Sequence, residues 1–149
     1  MKFYRGTLGK PIVFQESVII TSENLDLIDF DKVVYCEITP IGAMGNEGGI
    51  LMYVLDKDDL IPYETNILID EKSYENVSEK INQHRDLFTN YSGGMGNHVY
   101  IKKGIQLEID EEYNCFWYHS EYNTKLRIDS SVTGVFLNIV SEMKNEEKI

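Results

Sequence analysis

Long hydrophobic runs are missing from this chain of 149 residues. The longest, Ile50 to Leu55, is far short of the about 20 apolar residues that a membrane-spanning helix needs. Proline is scarce, at 3, which argues against extended linkers. Cysteine occurs only as Cys36 and Cys115, each in an apolar, strand-like run. Two cysteines are too few for a disulfide scaffold, so buried thiols in a reducing compartment are expected unless the fold brings the two together. No apolar stretch directly follows Lys2 and Arg5, so a secretory signal is not expected and the chain reads as cytoplasmic.

Basic residues are in deficit. Lys and Arg total 14 against 25 Asp and Glu, for a formal net charge of -11 and a pI near 4.6. A field of that sign repels phosphate backbones and anionic lipid, which disfavours direct nucleic-acid binding and membrane association. It draws in a basic protein and speeds the encounter. Excess carboxylate also keeps a protein soluble, whatever its partners.

Motifs with specific chemistry are missing as well. Of His84, His98 and His119, only His119 lies near a cysteine, and its four-residue spacing from Cys115 would be about 13 Å along a strand, too far for one ion. Asp56-Lys57-Asp58-Asp59 resembles the start of a calcium loop, but Ile61 stands at the glycine position and Ile67 at the closing carboxylate. Neither cysteine opens a helix that would activate it, and there is no nucleophile elbow. The glycine-rich stretches Gly42–Gly49 and Gly93–Gly96 lack a phosphate-loop order. No metal, cofactor or catalytic residue is assigned, and an enzyme is the less favoured class.

Hydrophobic residues make up 42% of the sequence, enough for a real core, and no linker divides residues 1–149, so one globular domain is expected. Strand-like runs cover Pro11–Ile20, Lys32–Thr39, Ile50–Leu55, Thr65–Asp70, Val99–Ile101, Ile105–Ile109, Tyr113–His119 and Thr124–Ile128. Thr21-Ser22-Glu23-Asn24 reads as a turn. Tyr74, Val77, Ile81, His84, Phe88 and Tyr91 recur at helical spacing and predict a helix over about 71–91, started by Asp70 or Ser73 and stopped by Ser92-Gly93-Gly94. Val132, Val135, Phe136, Ile139, Val140 and Met143 predict a second helix over about 130–146, capped by Asp129 or Ser130. Gly134 within it suggests a close helix-on-sheet contact, and a charged tail, 144–149, is expected to fray. The sum is an α+β fold, a mostly antiparallel sheet with two amphipathic helices on one face.

Two acidic clusters stand out. One is Asp56, Asp58 and Asp59; the other is Glu108, Asp110, Glu111 and Glu112. Both read as exposed strand ends and turns. With Tyr113 and Tyr122 nearby they form a candidate surface for a basic protein such as a toxin domain, and the concrete version is a bacterial immunity protein or toxin inhibitor. The alternative is a small enzyme or ligand-binding domain with its site between the loops 42–49 and 93–97, where glycine permits close approach and Glu47 or His98 supplies the polar group. The tripeptide Met-Gly-Asn at 44–46 and again at 95–97 fits that alternative, though no repeat period accompanies it. Oligomeric state is not legible.

Overall fold

A computed structural model of the chain describes residues 3–5, 16–40, 48–57, 59–66, 71–93, 96–119, 125–130 and 133–147. In chain order these form β1 (Phe3–Arg5), β2 (Val18–Ile19), α1 (Ser22–Leu27), β3 (Val33–Thr39), β4 (Gly49–Asp56), β5 (Asp59–Asn66), α2 (Glu71–Gln83), β6 (Phe88–Ser92), β7 (His98–Lys102), β8 (Leu107–Asp110), β9 (Cys115–His119), β10 (Lys125–Asp129) and α3 (Thr133–Glu147). The fold is α+β and mostly antiparallel. A 6-stranded sheet has the order β2-β5-β4-β3-β7-β6, and a 4-stranded sheet has the order β1-β8-β9-β10. The parallel pairs, β1 with β8 and β2 with β5, sit at sheet edges.

Strand alternation sends the larger sheet into two cores. Tyr35, Tyr53, Tyr91, Val99 and Ile101 face the smaller sheet's Leu107, Ile109, Phe116, Tyr118, Leu126 and Ile128. Val135, Phe136, Ile139, Val140 and Met143 of α3 fill the same core, with Phe116 and Phe136 rings 5.0 Å apart. The opposite face of the larger sheet presents Cys36, Ile38, Ile50, Met52, Val54, Phe88 and Tyr100 to Val77 and Ile81 of α2, Leu25 of α1, and Phe30. Helices therefore cover both faces of the larger sheet, and a second sheet shares one of them, where the sequence pattern suggested one sheet covered on one side.

Several element boundaries differ from the sequence reading. The helix expected over 71–91 ends at Gln83, and Phe88 and Tyr91 belong to β6. Their odd spacing puts them on opposite faces of a strand; because both faces are covered, both are buried, which mimics a helical stripe. His84 closes α2: its N–H reaches the carbonyls of Lys80 and Ile81 at 3.1 Å, its Nδ1 lies 2.9 Å from the Lys80 carbonyl, and its ring stacks on Phe30 at 5.3 Å. The turn read at 21–24 begins α1, with the Thr21 side chain accepting from the Asn24 N–H. Of the run Pro11–Ile20, strand is seen at Val18–Ile19, and 11–15 lie outside the described residues. Of the strand placed at Thr65–Asp70, Thr65 and Asn66 end a strand that begins at Asp59, and 67–70 lie outside the described residues. The expected frayed tail is helical through Glu147, with Lys144 paired to Glu111. Among the described residues an added Cβ at Gly134 meets nothing within 4 Å, so it marks no close contact there.

Buried phenols give the fold a pH dependence. Burial pushes Tyr53 up to about 12 and raises Tyr35 and Tyr91 as well, helped by the charges of Glu37 and Glu146 respectively. In the unfolded chain tyrosines ionise near 10. The folded state therefore holds protons that the unfolded state loses: stability is intact below about pH 10 and falls as pH rises toward 12, by about 1.4 kcal/mol per pH unit for each such tyrosine. Tyr53→Phe should make that decline shallower by one such increment, read as the change in urea-unfolding free energy between pH 9.5 and 11.5.

Candidate functional site

The second acidic cluster is built by the β8–β9–β10 meander. Register places Glu108 opposite Trp117, which faces Arg127, and Asp110 opposite Cys115, which faces Asp129, all on the side of the small sheet away from the shared core. Glu108 and Asp110 are each 4% exposed, which corrects their assignment to an exposed surface. Alternation alone turned them away from the core; other side chains then enclose them.

Each of these carboxylates has a complete local task. Glu108 Oε2 accepts from His119 Nε2 and from Lys125 Nζ, both at 2.8 Å. Asp110 Oδ1 accepts the backbone N–H groups of Glu112 and Tyr113 at 3.1 Å, and its Oδ2 accepts the Trp117 indole N–H at 3.0 Å. Asp110 thus fixes the turn at 111–114, completed by Asn114 at φ 52, a left-handed conformation that asparagine tolerates. Lys125 also lies 6.0 Å from the Trp117 ring, and Arg127 bonds Asp129 at 2.6 Å and lies 5.8 Å from the Tyr113 ring. Glu111 pairs with Lys144. Glu112 and Tyr113 remain exposed.

The first cluster is arranged differently. Asp56 and Asp59 are exposed and directly opposed across the end of the β4–β5 hairpin, with no ion pair among the described residues. Like charges directly opposite each other cost stability. Asp58, Tyr122 and Glu47 lie outside the described residues, as do 41–47 and 94–95 of the two glycine loops. His98, half-buried on β7, stacks on Tyr100 at 6.4 Å, and its Nδ1 is buried without a partner among the described residues. Thr65 Oγ1 is in the same state, in the same cross-strand row, with Ile50 and Ile38 between them. Three strand spacings separate the two, about 14 Å, so they do not form one compact site.

Two of the glycines answer to the chain itself. A Cβ at Gly49 would lie 2.7 Å from the Thr65 carbonyl oxygen, and one at Gly93 would lie 3.2 Å from the Val135 methyls. Among the described residues no three His, Cys, Asp or Glu gather as metal ligands. Both cysteines are free and buried; burial raises Cys36 and pushes Cys115 up to about 12, so both stay thiols rather than thiolates near neutral pH.

Sequence reasoning missed a further carboxylate. Glu37 is fully buried in β3, and its Oε2 accepts from the Tyr35 hydroxyl at 2.6 Å and from Ser130 Oγ at 3.0 Å. Its signal was its position as the only charged residue in the otherwise apolar run Val33–Ile38.

The Glu108 network predicts an asymmetry. Its carboxylate side chain is 5% exposed, whereas Lys125 is 33% exposed and can reach water if freed. Lys125→Met leaves a buried charge with less compensation and should cost about 2–3 kcal/mol; Glu108→Gln should cost about 1 kcal/mol. Chemical denaturation at pH 7 compares them, and an equal or reversed cost would contradict the burial argument. No protein-family model, no curated protein and no solved structure matches this chain.

Proposed function

We propose that this chain is a cytoplasmic protein-binding module that neutralises a basic partner protein, most concretely a bacterial immunity protein or toxin inhibitor. The observation that carries the reading is the Asp56–Asp59 pair: two exposed carboxylates held opposite each other at a hairpin end, in a chain of formal charge -11. A lysine or arginine from a partner placed between them relieves their repulsion and completes a charge-assisted contact. The mechanism is occlusion, with carboxylates occupying a cationic groove made for a polyanion. Association is fast at low salt and slows as salt screens the field. Glu112 and Tyr113 extend the surface; behind it Asp110 holds the turn and Glu108 joins β8 to β9 and β10.

The test joins stability to binding. Asp59→Asn should stabilise the free protein by about 0.2–1 kcal/mol while weakening its hold on a basic protein captured from native lysate, so that less salt releases it. The captured protein's activity should be blocked stoichiometrically by the unaltered chain. Capture of nothing basic, or release at unchanged salt, would remove the reading's support.

His98 favours a second reading, a small-ligand site beside the glycine loops, because its buried Nδ1 has no partner among the described residues. A metabolite that shifts the His98 ring signals in proton NMR, and stops doing so in His98→Phe, would move the assignment to that reading; unchanged ring signals across a metabolite panel would end it.

A further inference from the structure

Three of the five large apolar side chains that stand exposed among the described residues, Val18, Ile19 and Leu27, fall within ten positions of one another. Leu27 is 84% exposed and Ile19 61%. Isolated surface leucines are ordinary, but these belong to one built edge. The Asn24 side-chain amide donates to the Ile19 carbonyl, tying α1 to β2 at the margin of the larger sheet. Leu27 follows Asn24 by three positions, hence on the same side of the helix, while Leu25 is buried in the core below.

Charge singles out the same segment. Glu23, Asp26, Asp29 and Asp31 are all exposed there. No lysine or arginine occurs from Pro11 through Asp31. Across the fold, Lys80 of α2 reaches Asp26 at 3.9 Å and Lys102 donates to the Asp31 backbone carbonyl, which offsets part of this charge. The turn Phe30–Lys32 then packs on the end of β4, which carries Asp56. The acidic border therefore runs from α1 to the hairpin end.

We infer that α1 is the apolar anchor of the docking surface, with Leu27 seating in an apolar recess of a basic protein while Glu23, Asp26, Asp29 and Asp31 meet the lysines and arginines around it. This deepens the protein-binding reading and rests on it. An apolar centre bordered by charge is the usual anatomy of a specific interface. Strand addition at this edge is disfavoured, because the Ile19 carbonyl that would receive a new strand already accepts from Asn24.

The experiment uses the full chain and two synthetic peptides of equal charge, one alternating leucine with lysine on a helical pattern and one with serine in place of leucine. Amide NMR shifts on adding the leucine–lysine peptide should centre on residues 18–31. Leu27→Asp should weaken that peptide at least tenfold while the serine–lysine peptide, which gains a carboxylate to meet, binds no more weakly, and Leu27→Ala should fall between. Because Leu27 is exposed, both variants should keep the wild-type circular dichroism spectrum. The inference is overturned if Leu27→Asp binds the leucine–lysine peptide within twofold of wild type, if the shifts centre elsewhere, or if sedimentation shows a dimer that Leu27→Asp dissolves, which would make the edge a self-interface. Against the basic protein captured above, weakening by Asp59→Asn without weakening by Leu27→Asp would reject the anchor and keep the binding reading; no effect from either would reject both.

Discussion

Burial of both faces of the six-stranded sheet is the constraint from which the other features follow. β3 lies at its centre, between β4 and β7, and every residue from Val33 to Ile38 is buried. A polar side chain on such a strand must find its partners inside the protein. Glu37 finds the Tyr35 hydroxyl on its own strand and Ser130 just beyond β10, in the part of the chain that leads to α3. A second link runs alongside, where the Asp129 N–H donates to the Tyr53 hydroxyl at 3.1 Å. These contacts tie the end of the small sheet to the large sheet by directional bonds, beside the apolar packing between them.

The carboxylates divide accordingly. Glu37, Glu108 and Asp110 are enclosed, and each is held by donors from neighbouring strands or turns, so they position the scaffold. The exposed carboxylates carry the long-range field, because a charge matched inside the protein contributes little outside it. The small sheet's outer face largely neutralises itself through Lys125 and Arg127, while Lys144 pairs with Glu111. The unbalanced charge instead gathers along α1, the Phe30–Lys32 turn and the β4–β5 hairpin.

Period and composition were enough to read α3, the central strands β3, β4 and β7, and the β9–β10 hairpin, because their apolar patterns are long or bounded by turn residues. The end of α2 was not legible: Phe88 and Tyr91 keep helical spacing, and only the knowledge that both faces of β6 are covered shows why a strand buries them both. α1 was hidden for a different reason, since Thr, Ser and Asn favour turns and helix starts alike. Alternation in β8 correctly turned Glu108 and Asp110 from the core, but it holds no information about what encloses the other face. Of the candidate surface, Asp56 and Asp59 kept the exposure expected of them, and the apolar element beside them had no sequence signal beyond the long gap in basic residues.

Several local rules are broken along one margin of this fold. At the hairpin end Asp56 faces Asp59, and Lys57 between them adopts φ 59, where asparagine or glycine would be at ease. Along α1, Leu27 stands in solvent while Leu25 packs inward. Opposed like charges, a left-handed lysine and a bare leucine each act against the isolated protein, and the chain from Leu27 through Phe30–Lys32 connects them. On the binding reading proposed above, such departures are what a surface completed by something outside the chain would show. The chemistry that such a partner would need follows from what stands exposed: positive charge for the carboxylates and apolar cover for the leucine.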